Sequence, residues 1–186
     1  MMHDRISKPC RLGIVSDTHG HLDARIQQVI QDCDIALHAG DIMGAGVLAC
    51  LQPRDGRTVA VRGNNDTSRI WASEEHAVLQ PLSEEARLTL PGGDLVLLHG
   101  HKQWTSEGLH QRLREEFPDV RAIVYGHSHY LAVDIEHDPW VLNPGAAGKT
   151  RTHGGPSCLV LTVDHQHWHV EKIRFPEPEQ AVMSLS

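Results

Sequence analysis

The feature that most restricts how this chain can fold is a junction that occurs five times: a short apolar run ends in a glycine-containing loop carrying Asp, Asn or His. Residues 12–15 lead into Ser16-Asp17-Thr18-His19-Gly20, residues 35–38 into Ala39-Gly40-Asp41, and residues 58–61 into Arg62-Gly63-Asn64-Asn65-Asp66. Residues 95–98 then lead into His99-Gly100-His101, and residues 122–125 into Gly126-His127-Ser128-His129. Short runs of branched residues bounded by turn formers read as buried strands. Between the first two, Leu22, Ile26, Val29, Ile30 and Cys33 recur at helical spacing, with Gln27, Gln28, Gln31 and Asp32 on the other face. A small-residue helix is expected over 45–51, ended by Pro53. Leu109, Leu113 and Phe117 predict a third helix. After Gly126 the pattern changes to short strands near Val133, Trp140, Leu159 and Val170. Asn143-Pro144-Gly145 and Gly154-Gly155-Pro156 read as hairpin-type connections between them.

Alternating strand and helix followed by consecutive strands predicts an α/β fold with helices covering strand layers on their outer faces. In open α/β sheets, ligands collect beyond the carboxyl ends of the strands, so the five loops are expected to converge. A length of 186 residues suits one domain spanning 1–186, with its core over about 11–175 and a loose tail over 176–186. The four cysteines form no C-x-x-C pair, which excludes a zinc ribbon or redox motif and fits free thiols in a reducing cytosol. No segment has the length of a membrane span and no leader pattern is present, so a cytoplasmic protein without a membrane partner is expected. A formal net charge of -7 argues against a general binder of extended nucleic acid, which gains most of its affinity from basic surface.

Taken in order, D-x-H, G-D, G-N-x-D, H-G-H and G-H-S-H resemble the calcineurin-like metallophosphoesterase superfamily, most closely its small single-domain bacterial and archaeal phosphodiesterase branch. The resemblance spans about residues 11–163 and implies a layered α/β/β/α sandwich of the metallo-dependent phosphatase type. It further implies that Asp17, His19 and His129 bind one divalent cation, that Asn64, His99 and His127 bind a second, and that Asp41 bridges them. Mixed imidazole, carboxylate and amide-oxygen ligands suit transition metals, manganese first and Ni, Zn, Fe or Co as well, better than calcium. Two such cations sharing a water would generate a hydroxide nucleophile and offset charge in the transition state. The substrate so implied is a small phosphate ester, a diester or an activated monoester. Relatives of this branch often form dimers or larger assemblies, so a second copy of the chain is among the implied partners.

Several residues carry a plainer reading beside this one. Taken alone, Asp17 reads as the N-cap of the following helix. His165, His167 and His169 alternate like one face of a strand, and with no supporting carboxylate or glycine loop they read as a solvated edge rather than a metal comb. Trp71, Trp104, Trp140 and Trp168 lack regular spacing and read as core or surface anchors. Many relatives place a histidine after the Gly-Asn pair to bind phosphate or protonate the leaving group, where this chain has Asn65. An amide is no general acid, which leaves His101 as the candidate donor, with a loop or supporting role as its alternative. Asn143 reads as a supporting partner of the site. Two other functions share the resemblance: a non-catalytic protein-binding scaffold, as in a retromer subunit of the same branch, and a small nuclease or nucleotide phosphodiesterase.

Overall fold

The computed structural model describes residues 2–105 and 107–177, so the expected tail lies, beyond Glu177, outside the described residues. Strands β1 (Met2–Arg5), β5 (Glu85–Leu90), β6 (Gly93–Leu98), β7 (Ala122–Val124), β8 (Leu131–Asp134) and β9 (Trp140–Pro144) form one sheet in the order β1-β5-β6-β7-β9-β8. Strands β2 (Cys10–Val15), β3 (Ile35–His38), β4 (Arg57–Ala60), β10 (Ser157–Val163) and β11 (Trp168–Arg174) form the second, ordered β11-β10-β2-β3-β4. Both are mixed: β2, β3 and β4 run parallel, as do β6, β7 and β9, with antiparallel strands at the flanks.

Side-chain alternation along each strand divides the core. Leu12, Ile14, Leu37 and Val59 turn inward to meet Leu88, Leu95, Leu97, Val124 and Leu142 of the facing sheet. On the outer face of the second sheet, Val15, Ala36 and Cys158 receive Ile26 and Ile30 of helix α1 (Ala24–Gln31) together with Leu51, just past α2 (Ala45–Cys50). After a 3-10 turn at Ser73–Glu75 comes the short α3 (His76–Leu79), whose Leu79 joins Ile42, Val47 and Trp71 in a satellite cluster. The outer face of the first sheet packs Val96, Leu98, Ile123 and Val141 against Leu113 of α4 (Leu109–Glu116). The result is the expected layered α/β/β/α arrangement.

Three sequence expectations change. Asn143-Pro144-Gly145 is not a hairpin turn, because β9 belongs to one sheet and β10 to the other, and the segment between them carries the chain across. The N-cap of α1 is Asp23, whose carboxylate accepts from Arg25 N at 2.9 Å, which leaves Asp17 free of that role. His165 and His167 lie in the turn before β11, where Asp164 Oδ1 accepts from Gln166 N and His167 N; only His169 is on the strand, so no comb forms. Among the described residues no helix is long and apolar enough to cross a membrane.

Candidate metal centre

The loops after β2, β3, β4, β6 and β7 meet at one end of the sandwich, held first by backbone. Asp17 N donates to Gly40 O at 3.0 Å, His19 N to Asp41 O at 3.0 Å and Gly20 N to Ile42 O at 2.8 Å, so the first two loops are zipped together. Left-handed backbone is uncommon for non-glycine residues and costs of order 1–3 kcal/mol at each. Here Asp17 (φ 52), His19 (φ 45), Asp41 (φ 55), His127 (φ 64) and His129 (φ 62) all adopt it, a concentration that bends these loops back on the centre. Two glycines admit the close approach. A Cβ at Gly63 would press on the Asp41 carboxylate, and one at Gly126 on Ser16 Oγ.

The side chains then face one another at short range. His19 Nε2 stands 3.1 Å from His129 Nε2, His129 Nε2 3.4 Å from Asp17 Oδ1, and His127 Nδ1 3.1 Å from Asn64 Oδ1. Asp41 divides its oxygens: Oδ2 lies 3.8 Å from His19 Nε2 and Oδ1 3.4 Å from His99 Nε2. With bonds of about 2.1 Å, ligand atoms 90–110° apart on one cation stand about 3.0–3.4 Å from each other, which is close to these spacings. Asp17, His19 and His129 form one group able to hold a metal ion, and Asp17, Asp41 and His99 another.

Protonation fits the same purpose. His99 Nδ1–H donates to Ala39 O at 2.8 Å and His19 Nδ1–H points at Met43 Sδ at 3.0 Å, which leaves each Nε2 as a lone pair aimed into the centre. Buried Asp17 Oδ1 and His99 Nε2 have no hydrogen-bond partner, a costly arrangement that a cation would relieve. Burial holds His19, His127 and His129 below the ordinary histidine range, His129 at about 4, so they are neutral and ready to ligate at pH 7. Burial also lifts the Asp17 carboxyl to about 7. Asp41 is pushed the other way: burial would raise it, but the facing His99 and the donors of Asn65 outweigh that and keep it ionised. The Asp41 and Asp17 carboxylates raise His99 despite its burial, an interaction that a cation at Nε2 would replace.

All eight residues singled out in the sequence lie in these loops, but they are not equally close. His101 stands behind His99, with ring centroids 5.5 Å apart and 6.3 Å from His127; burial and His99 lower its basicity. Asn65, expected only as a missing acid, holds Asp41: its N and Nδ2 donate to Asp41 Oδ1 and Oδ2 at 2.9 and 2.7 Å. Asn143 takes up the supporting role, donating from Nδ2 to Gly126 O at 2.8 Å and to Ser128 Oγ at 3.0 Å. Two supports had no sequence assignment. Asp66, buried, accepts from Ile42 N, Met43 N, Gly63 N and Trp71 Nε1 and so binds the second loop to the third. His38 accepts from Gly40 N at Nδ1, and its Nε2–H donates to Thr18 Oγ1 at 2.9 Å, which in turn reaches Ile42 O. The only sequence signal for either was position, at a strand end or inside G-N-x-D. Trp104 is exposed and stands edge-on to His127 at 5.3 Å, at the border of a cavity of about 380 Å³ that Tyr125, Ser128 and Tyr130 also line.

Residues 10–166 match the model of the calcineurin-like phosphoesterase superfamily domain. A phosphodiesterase of Methanocaldococcus jannaschii is 27% identical over 169 residues, covering 85% of this chain and 96% of that protein. Two solved structures share the fold. Vacuolar Protein Sorting 29 of Cryptosporidium parvum aligns with a TM-score of 0.69 at 16% identity, covering 92% of this chain and 100% of its own. A structure described as a novel archaeal phosphodiesterase aligns with a TM-score of 0.65 at 21% identity, covering 88% and 99%.

Proposed function

The chain belongs to the calcineurin-like phosphoesterase superfamily, and from that premise we propose that it is a dinuclear metal-dependent phosphoesterase acting on phosphodiesters or activated phosphomonoesters. The observation that carries the reading is the crowding of ligand-type atoms: His19 Nε2 stands 3.1 Å from His129 Nε2, and Asp17 Oδ1 and His99 Nε2 are buried without a hydrogen-bond partner. Asp17, His19 and His129 would hold one cation and Asn64, His99 and His127 the other, with Asp41, whose two oxygens face His19 and His99, shared between them. Mn is the first candidate, with Ni, Zn, Fe and Co compatible with the same donors. When bound, two divalent cations supply an activated water and polarise the phosphate oxygens.

The chain's own residues do the rest. Asn65 fixes the Asp41 carboxylate through two donors, so both oxygens keep their directions. Asp17 accepts His127 N at 3.0 Å through Oδ2, tying the first loop to the fifth while Oδ1 stays free. The cavity beside His127 gives room for a second ester substituent, which favours diesters, as does the name of the M. jannaschii relative.

A protein-binding scaffold is the second reading, favoured by the fold's match to a vacuolar sorting protein. Turnover separates the two. Purified protein loaded with Mn, Ni, Zn, Co or Mg is assayed on aryl diesters, aryl monoesters and cyclic nucleotides, with metal content measured in parallel. The enzyme reading expects about two equivalents of metal and chelator-sensitive hydrolysis. Full metal content without turnover of any ester would favour the scaffold, and failure to hold metal in excess Mn would sink the dinuclear centre.

A further inference from the structure

Backbone strain does not stop at the candidate ligands. Among the described residues, the non-glycine positions with left-handed backbone outside those loops are Arg151 (φ 53) and His153 (φ 46), both in the segment that crosses from β9 to β10. That segment is anchored firmly. Ala147 is buried, donates from N to Ser16 O at 2.9 Å and accepts from Asp23 N at 3.0 Å. At its far end His153 stacks on Tyr130, the residue after His129, with ring centroids 3.9 Å apart. Between these anchors Arg151 is directed at the centre: Nη2 lies 3.3 Å from His19 Nε2, the atom that also faces His129 and Asp41.

A fixed positive charge at the mouth of a cation-collecting centre opposes the very ions that the other residues attract. Its placement makes sense when an anion occupies the space between. A guanidinium presents a planar fork of donors matched to phosphate oxygens, and its charge does not titrate away. Asn65 does not supply such a contact, because it is neutral and its backbone N and side-chain Nδ2 both donate to Asp41. The geometry points to Arg151 as the phosphoryl-binding residue: its guanidinium engages the non-bridging oxygens of the substrate, leaving His19 Nε2 to a cation. This rests on the phosphoesterase reading of the centre, with Arg151 adding the contact that recognises the anion itself.

The test uses the full chain loaded with Mn, as wild type, Arg151→Gln and Arg151→Lys. Calorimetric titration with inorganic phosphate reads the contact directly, metal analysis reads the centre, and hydrolysis of a nitrophenyl diester reads catalysis. Arg151→Gln is expected to weaken phosphate binding by about tenfold or more and to lower kcat/KM by about 100-fold, the usual effect of losing one donor to a transition-state oxygen. Arg151→Lys recovers part of both, keeping the charge and losing the fork, while Mn content stays at the wild-type level. Wild-type phosphate affinity and turnover in Arg151→Gln would overturn the assignment. Loss of Mn in that variant would also overturn it, by showing that Arg151 props His19. Wild-type protein that binds phosphate through Arg151 but hydrolyses no ester would leave this contact standing and refute the enzymatic reading instead.

Discussion

Replacing Asp17 by Asn should have opposite effects on the metal-free and metal-loaded protein. Asp17 is fully buried, and without metal its carboxyl rises from 3.8 to about 7, chiefly through burial. The folded state therefore binds this proton more tightly than the unfolded chain, and stability falls as pH rises from about 4 to about 7. At pH 7 the ionised carboxylate costs about 4 kcal/mol, from about 1.4 kcal/mol for each pKa unit. The Asp17→Asn amide removes that cost but misplaces two N–H donors, worth about 1–2 kcal/mol. The metal-free variant should thus be about 2–3 kcal/mol more stable than wild type, or about 5–10 °C in Tm for a chain of this size. Asp41, whose shift has the opposite sign, is present in both proteins.

With metal the order reverses, since Asp17 belongs to both groups able to hold an ion. A loss of affinity of about 1,000-fold removes about 4 kcal/mol of metal-induced stabilisation, more than the roughly 2–3 kcal/mol gained without metal. Thermal unfolding in EDTA and in excess MnCl2 checks both halves. Repeating the EDTA arm at pH 5, where the wild-type cost shrinks to about 2 kcal/mol, should abolish the variant's advantage. A variant that is less stable than wild type in EDTA at pH 7, with an undiminished Mn shift, would refute both the buried-charge argument and the ligand role.

Asp66→Ala leaves Ile42 N, Met43 N, Gly63 N and Trp71 Nε1 without their acceptor, and urea denaturation should show a loss of about 3–5 kcal/mol; a loss under about 1 kcal/mol would mean water replaces the carboxylate. Gly63→Ala places a methyl against the Asp41 carboxylate, so Mn content should fall while the far-ultraviolet dichroism stays near wild type. Because Asn65 is committed to Asp41 and burial depresses His101, assistance to the leaving group should be weak and rates should fall steeply as leaving-group pKa rises. Asn65→His should then help alkyl esters more than nitrophenyl esters; a flat dependence, unchanged in both Asn65→His and His101→Gln, contradicts this account.

What the sequence displayed was the set of side chains that the loops bring face to face, because metal chemistry of the kind proposed restricts both residue type and order along the chain. What it concealed was the set that holds them. Asp66 and His38 use ordinary backbone hydrogen bonds, and a carboxylate accepting three N–H groups looks in sequence like any turn aspartate. Strand β5 was legible in principle, since Ala86, Leu88 and Leu90 alternate with Glu85, Arg87 and Thr89 at period two and Pro91-Gly92-Gly93 marks the hairpin to β6. Strand β1 has no such pattern and is defined only by its parallel pairing with β5, a contact over some eighty residues.

The assignment of β9 and β10 to different sheets was hidden for a related reason. Asn143-Pro144-Gly145 carries the residues of a tight turn, and only the burial of both flanking strands decides which partner each one finds. That crossing matters chemically, because it brings Arg151 to the candidate metal centre from a part of the chain with no share in the five glycine loops. Backbone strain accompanies it. Glycines announce their unusual dihedral angles in sequence, whereas Asp17, His19, Asp41, His127, His129 and Arg151 adopt theirs unannounced. A non-glycine residue stays left-handed only where its surroundings hold it there; for Asp17, His19, Asp41, His127 and His129 these are the loops of the candidate centre, whereas His153 is held by its stack on Tyr130. Strain shared with His153 does not single out Arg151; the 3.3 Å approach of its guanidinium to His19 Nε2 does, on grounds independent of any motif, whereas the donors of Asn65 are engaged with Asp41.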